Sequence, residues 1–196
     1  MEHYFTQNPK SRYKEFKLNV ALKEDSFEII SASGLFSRDE LDSASKLLIE
    51  SAELPNEGSC LDIGCGCGVI GIALNRRIAS LNFVFSDINE RALYVTRKNL
   101  KSVEISGKVT KSDIFSNIAD SFDLIVSNPP MAAGRKKCYE LIDGAFSHLN
   151  KNGSLQIVAR HNKGGSMLEK RMNEIFGNVS ILAKKSGFRV YKSVKE

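Results

Sequence analysis

The sequence contains no run of eighteen apolar residues, and it does not begin with a basic segment followed by an apolar one. A membrane-spanning helix needs about 20 predominantly apolar residues, and a secretory signal peptide needs that basic and apolar order. The sequence therefore predicts neither a signal peptide nor contact with a membrane. A cytoplasmic location is expected by default.

Cysteine is scarce, with four residues among 196. Cys65 and Cys67 lie in a glycine-rich segment, and Cys60 and Cys138 are isolated. No second cysteine pair or neighbouring histidine completes the spacing of a zinc site. We therefore expect reduced thiols and no bound metal.

The glycine-rich segment lacks the residues that two common nucleotide-binding motifs require. Glycine occupies Gly64, Gly66 and Gly68, but position 69 is Val69, where a dinucleotide fingerprint needs another glycine. No Gly-Lys-Ser/Thr follows, which excludes the phosphate-binding loop of nucleotide hydrolases. Small residues between a strand and a helix still permit a tight turn and close approach of the backbone to a ligand.

The chain also lacks internal repeats, low-complexity tracts and linkers, and its 42% hydrophobic and 26% charged residues are typical of a globular domain. Strand and helix patterns alternate with short loops after residue 39. This order predicts an α/β fold, with a doubly wound, mostly parallel seven-stranded sheet and an antiparallel terminal pair. The predicted strands cover 59–63, 82–85, 108–112, 122–127, 154–159, 178–184 and 188–192. The predicted helices cover 40–54, 69–78, 89–101, 166–176 and a segment from 135 or 138 to 149, which Asn152-Gly153 ends.

Residues 1–38 are predicted to form a small N-terminal extension packed on the core. Two strand patterns, 16–22 and 26–30, flank the turn residues Lys23, Glu24 and Asp25, which predicts a hairpin. Residues 39–196 are then the main domain.

The strand pattern 122–127 ends in Asn128, Pro129, Pro130 and Met131. Proline has no N–H and disfavours helical geometry in the residue before it, so this loop is stiff and extended. The Asn side chain and the free carbonyls then face the edge where ligands bind in open α/β sheets. Taken alone, Asn-Pro-Pro is equally compatible with a sharp loop.

Three carboxylates stand beside successive strand ends. Asp62 precedes the glycines and could attract an ammonium group, directly or through water. Asp87 could accept both hydroxyls of a ribose, and Asp113 could accept a proton of an adenine amine. An amine, a ribose and an adenine without phosphate describe S-adenosylmethionine better than a dinucleotide.

With the segment 61–68, these residues resemble a class I S-adenosylmethionine-dependent methyltransferase, with its Rossmann-like fold. The motif Asn-Pro-Pro-x is similar to that of enzymes that methylate planar amines. The segments 2–5, 33–37, 71–73 and 187–190, and Asp42, add a resemblance to the small methyltransferase domain of ribosomal RNA guanine-N2 enzymes and their short archaeal relatives.

The resemblance implies roles for individual positions. Phe36 would pack over the cofactor, and Met131 stands where many relatives carry an aromatic residue that stacks on the base. The implied cofactor-binding residues are Phe36, Asp62, Gly64, Gly66, Gly68, Asp87, Ile88, Asp113, Ile114 and Asn128. The implied catalytic residues are Asn128, Pro129 and Pro130, and the substrate-binding residues are Met131, Arg135 and Lys136.

The net charge of +5, with cations near both termini and after the Asn-Pro-Pro loop, favours RNA as the substrate. The expected reaction is methylation of guanine, at the exocyclic N2, in ribosomal or transfer RNA. Guanine N7 and a protein glutamine remain alternatives, as does an inactive module that binds cofactor or RNA. A DNA adenine enzyme would normally carry an added recognition domain.

Overall fold

A computed structural model describes residues 12–35 and 40–196. The strands in these ranges are β1 (Glu15–Ala21), β2 (Ser26–Ala32), β3 (Gly58–Ile63), β4 (Leu81–Asp87), β5 (Gly107–Lys111), β6 (Phe122–Ser127), β7 (Leu149–Arg160), β8 (Ser180–Lys185) and β9 (Phe188–Val194). The α-helices are α1 (Ser43–Ser51), α2 (Val69–Arg77), α3 (Glu90–Ser102), α4 (Arg135–His148) and α5 (Gly165–Phe176).

The central sheet has seven strands in the order β5-β4-β3-β6-β7-β9-β8, and β9 alone runs opposite to the other six. From β3 the chain builds outward through β4 to β5, and it then returns to place β6 on the other side of β3. This reversal puts a crevice outside the carboxyl ends of β3 and β6, where α/β folds bind ligands.

Two apolar layers enclose the sheet. On one face α1, α2 and α3 pack through residues such as Leu48, Ile72 and Val95. On the other face α4 and α5 pack through residues such as Ile142 and Met172. Because both faces are covered, the central strands are almost continuously buried, as expected for a parallel sheet.

The hairpin of β1 and β2 packs against the first of these faces, and Leu18 and Ile29 join that core. Asn99 of α3 fixes it: its Oδ1 accepts from Ile30 N at 2.9 Å, and its Nδ2 donates to Ile30 O and Cys67 O, each at 2.8 Å. The hairpin is therefore tied to the glycine loop through one side chain. The division of the chain at residue 38 remains a prediction.

The expected boundary between α4 and the following strand was wrong. Asn152-Gly153 does not end the helix, because α4 stops at His148 and β7 begins at Leu149. Asn152 has a positive φ of 66°, and its N–H donates to Lys195 O at 2.7 Å. The two residues thus form an irregularity within a long strand, with a register shift against β6.

Candidate active site

The carboxyl ends of β3, β4, β5 and β6 border one cleft. The predicted site residues that line it are Gly64, Gly66, Asp87, Ile88, Asp113, Ile114, Asn128 and Pro130. The predicted residues that lie behind or beside its wall are Asp62, Gly68, Pro129, Met131, Arg135 and Lys136. Phe36 lies outside the described residues.

The glycine loop requires glycine for its backbone shape. Gly64, Gly66 and Gly68 have φ values of 72°, 57° and 83°, a region that disfavours other residues. A β-carbon on Gly64 or Gly66 would meet no atom within 4 Å, whereas one on Gly68 would come within 3.0 Å of Thr96. The first two glycines therefore leave the cleft side of the loop open to close approach by a ligand.

Asp87, at the end of β4, holds the loop in place. Its Oδ2 accepts from Gly66 N at 2.9 Å, and its Oδ1 accepts from Asn89 N at 2.9 Å. Burial raises the pKa of Asp87 above its ordinary value, although these backbone N–H groups act in the opposite direction. Each oxygen retains a lone pair for a further donor, so the carboxylate can still accept hydroxyl groups from the cleft.

Asp62 is fully buried beneath the loop. Its Oδ2 accepts from Gly71 N at 2.9 Å, but its Oδ1 has no hydrogen-bond partner among the described residues. Burial raises the pKa of Asp62 to about 7, and the charge of Asp87 contributes to the rise. A buried carboxylate with an unpaired oxygen attracts a cation strongly, because its charge lacks compensation.

Asp113 is held by a lysine that sequence reasoning did not assign to the site. Lys137 Nζ lies 2.8 Å and 3.0 Å from the two carboxylate oxygens of Asp113, and both residues line the cleft. Ile114, which follows, has an unusual φ of 54°. The cleft therefore ends in an ion pair between β5 and α4, and a donor from a ligand would share Asp113 with Lys137.

Asn128 follows β6, and its side-chain amide is oriented by α1. Its Nδ2 donates to Ser45 Oγ at 3.0 Å and lies 3.4 Å from Asp42 Oδ1. An ionised carboxylate only accepts, so Asp42 requires the NH₂ end of the amide on its side. Asn128 Oδ1 has no partner among the described residues and belongs to the half of the amide turned away from α1.

Asp42 has a second role as the N-cap of α1. Its Oδ1 accepts from Ala44 N at 3.0 Å and from Ser45 N at 2.9 Å, which satisfies free N–H groups of the first turn. The helix terminus and Asn128 are thereby fixed to the same carboxylate. The sequence signals the cap, but it does not signal the contact with a loop more than eighty residues later.

The two prolines form a tight turn. Pro130 has φ −73° and ψ 81°, and Met131 N donates to Pro129 O at 2.8 Å, as in an inverse γ-turn. Met131 does not itself line the cleft, but its Sδ lies 3.9 Å from Sγ of Cys138, which does. The predicted acceptor Pro129 O is thus already engaged once and keeps one lone pair.

Arg135 and Lys136 begin α4 and are exposed beside the cleft. Within residues 12–35 and 40–196, no cluster of three or more His, Cys, Asp and Glu side chains is arranged to hold a metal ion. No helix in these ranges is long and apolar enough to cross a membrane.

Comparisons with known proteins agree with this architecture. A family model described as methyltransferase small domain matches residues 26–192. Protein YbxB of Bacillus subtilis (strain 168) is 35% identical over 198 residues, which cover 99% of this chain and 98% of that protein.

Ribosomal RNA small subunit methyltransferase C of Haemophilus influenzae (strain PittEE) is 37% identical over 98% of this chain but only 59% of its own length. The chain thus spans little more than half of this relative.

A solved structure has the same fold. It is the 16S rRNA N2 G1207 methyltransferase (RsmC) of T. Thermophilus, in complex with AdoMet and guanosine. Its TM-score is 0.81 at 22% identity, and the match covers 96% of this chain and 52% of that one. The predicted Rossmann-like methyltransferase fold is confirmed, and so is the resemblance that the glycine loop, the carboxylates and the Asn-Pro-Pro loop indicated. The chain belongs to the methyltransferase small domain family.

Proposed function

We propose that this protein transfers a methyl group from S-adenosylmethionine to the exocyclic N2 amine of a guanine in ribosomal RNA. The observation that carries the proposal is the orientation of Asn128. Asp42 and Ser45 bind its NH₂ group, which leaves its carbonyl oxygen as an acceptor at the cleft. An acceptor fixed at that place suits a substrate that offers N–H groups.

The cleft fits S-adenosylmethionine in three respects. Gly64 and Gly66 leave room for close approach of a ligand to the loop. Asp62 offers a buried, unpaired oxygen whose negative charge would favour an ammonium group. Asp87 would accept from ribose hydroxyls, and Asp113 with Ile114 would hold the adenine end. Bound there, the cofactor supplies an electrophilic methyl group on a sulfonium centre.

The chain's own contribution is alignment. An exocyclic amine is a weak nucleophile because its lone pair is delocalised into the purine ring. Asn128 Oδ1 and the remaining lone pair of Pro129 O would accept the two amine hydrogens, so that the nitrogen lone pair points along the transfer axis. These acceptors also stabilise the positive charge that grows on the nitrogen. The surplus proton can leave to water afterwards, and holding the reactants in line supplies most of the acceleration.

Two relatives support the choice of substrate. The curated relative is named for ribosomal RNA methylation, and the structural neighbour is a complex with both AdoMet and guanosine. Exposed cations beside the cleft, which include Arg135 and Lys136, suit phosphate groups.

The test is incubation of the purified chain with unmodified ribosomal RNA and labelled S-adenosylmethionine, followed by nucleoside mass spectrometry. We expect N2-methylguanosine. Asn128→Ala should lower the transfer rate by about 100- to 1,000-fold, the cost of removing one aligned polar group, while calorimetry finds cofactor binding nearly intact, because the other implied cofactor-binding residues remain. Asn56→Ala, an exposed asparagine in the loop before β3, is the control and should transfer at the wild-type rate.

Other results would contradict the proposal. Methyl transfer to guanine N7 or to a protein glutamine would show that the substrate is wrong. A wild-type rate in Asn128→Ala would show that the amide does not orient the amine.

A further inference from the structure

The sheet topology brings three separate loops to the side of the cleft that lies next to Asn128. One follows β6 and leads into α4, and the second follows β7 at His161–Lys163. The third is the turn between β8 and β9. Because β9 runs antiparallel to β7, with Arg160 opposite Phe188, this turn lies at the carboxyl end of β7.

These three loops are in direct contact. A β-carbon on Gly164 would lie 2.5 Å from Cε of Met131, so the loop after β7 packs on the Asn-Pro-Pro loop. His161 N donates to Gly187 O at 2.9 Å, which joins the loop after β7 to the β8–β9 turn. The guanidinium group of Arg160 lies 4.6 Å from the centre of the Phe188 ring. The loops therefore form one continuous surface.

This surface is strongly cationic, and we call its exposed cations the basic rim. They are Arg135, Lys136, Arg160, Lys163, Lys184 and Lys185. None of the six forms a salt bridge within the part of the chain that the structure describes. The carboxylate of Glu169, at the foot of the same loops, already lies 3.9 Å from Arg189 and 3.7 Å from His161. The rim therefore carries uncompensated positive charge.

The opposite edge of the sheet, where the parallel strands begin, differs. There Lys108 of β5 pairs with Asp120 at 3.0 Å, and Lys192 of β9 pairs with Glu53. Lys195 donates to Leu149 O at 2.7 Å. The fold thus divides the cations of the C-terminal segment, and the unpaired ones lie on the cleft side. Uncompensated like charges do not stabilise a fold, but they attract a polyanion.

We propose that the basic rim binds the sugar-phosphate backbone of the substrate RNA next to the methylated base. The inference rests on the proposed function, because it assumes that RNA enters the cleft beside Asn128. From β6 to β8 the rim crosses three strand spacings of about 4.8 Å, or about 14 Å.

The test compares two double variants with equal loss of charge. Lys184→Gln with Lys185→Gln alters the β8–β9 turn, far along the chain from the Asn-Pro-Pro loop. Lys108→Gln with Lys151→Gln alters exposed lysines at the opposite edge. The affinity for small-subunit ribosomal RNA transcribed in vitro is measured at several salt concentrations. Each lost phosphate contact should reduce the slope of log affinity against log salt by about 0.7 to 0.9.

We expect the slope to fall by about 1.5 in the rim variant and to stay unchanged in the opposite-edge variant. Equal reductions of the slope in both variants would overturn the proposal, because they would show that RNA affinity depends on the net charge and not on the position of the cations. A wild-type slope in the rim variant, with methyl transfer to RNA intact in the wild type, would overturn the rim but not the proposed function. Wild-type protein that binds S-adenosylmethionine but neither binds nor methylates RNA would overturn both.

Discussion

Asp62 allows the cofactor assignment to be tested without any methyl acceptor. Its carboxyl is fully buried, one oxygen has no partner within residues 12–35 and 40–196, and burial raises its pKa to about 7. The free protein therefore holds a proton on Asp62 in mildly acidic solution. If the ammonium group of S-adenosylmethionine binds near this carboxyl, it favours the ionised form, and binding must release that proton.

The number of protons that Asp62 releases on binding follows from its pKa. With a pKa of about 7, the group is about 90% protonated at pH 6 and about 10% protonated at pH 8. If a bound cation returns the pKa to about 4, binding releases about 0.9 proton at pH 6 and about 0.1 at pH 8. The affinity for S-adenosylmethionine should then rise by about eightfold from pH 5 to pH 6 and by about fivefold from pH 6 to pH 7.

Isothermal titration calorimetry in two buffers of different ionisation enthalpy measures this release directly. The apparent binding enthalpy should depend on the buffer at pH 6, where the α-amino group of the cofactor is already protonated and contributes no proton of its own. Asp62→Asn is the matched control, because its amide oxygen can still accept from Gly71 N but cannot titrate. Proton release should disappear in this variant.

The same proton affects the stability of the free protein. In the unfolded chain Asp62 has an ordinary pKa near 3.8, so between about pH 4 and pH 7 the folded state holds a proton that the unfolded state lacks. The free energy of unfolding should therefore decrease as pH rises through this range, by up to about 4 kcal/mol from this group. Asp62→Asn should remove this part of the decrease in urea titrations.

Two results would refute the reasoning. A binding enthalpy that is identical in both buffers at pH 6 would show that no carboxyl ionises on binding. Undiminished proton release in Asp62→Asn would assign the proton to another group, of which Asp87 is the obvious candidate because its pKa is also raised by burial.

Two further predictions concern the groups that sequence reasoning missed. Ser45→Ala removes one acceptor of the Asn128 amide. This loss of about 1 kcal/mol should lower the transfer rate about fivefold in single-turnover assays. Ser51→Ala is the control and should leave the rate unchanged, because the Ser51 hydroxyl bonds only to a carbonyl of α1. Lys137→Met frees the carboxylate of Asp113 to accept from an adenine amine. It should tighten S-adenosylmethionine binding by about two- to fivefold, which corresponds to the free energy of an exposed ion pair. Weaker binding by calorimetry would mean that Lys137 itself contacts the cofactor.

Local patterns predicted most elements of the fold. The hairpin was expected at 16–22 and 26–30 and lies at Glu15–Ala21 and Ser26–Ala32. These predictions succeeded because strand alternation and turn residues act over a few positions. The strand β7 was misjudged because Asn-Gly, with its positive φ, marks a helix end and a strand irregularity equally well.

Long-range contacts in the site could not be read in the same way. The sequence placed Asn128 at a strand end. It could not predict that the Asn128 side chain is held by Asp42 and Ser45, because these residues lie 86 and 83 positions earlier in the chain. Lys137 could not be assigned to the site from the sequence, since its pairing with Asp113 depends on how α4 crosses the end of β5. Lys184 and Lys185 lie on the cleft side of the sheet and Lys192 does not. This difference follows from the direction in which β9 runs, which the sequence alone does not reveal.

The contact between Met131 and Gly164 also constrains how the site can change during evolution or redesign. A larger residue at position 164 would meet the Met131 side chain and would also be strained by a φ of 99°. An aromatic ring at position 131 would in turn need space that the backbone of the next loop now occupies. The unbranched thioether of methionine adapts to such a confined space better than a rigid ring does. The two positions should therefore covary, and a larger side chain at either of them requires a compensating change at the other.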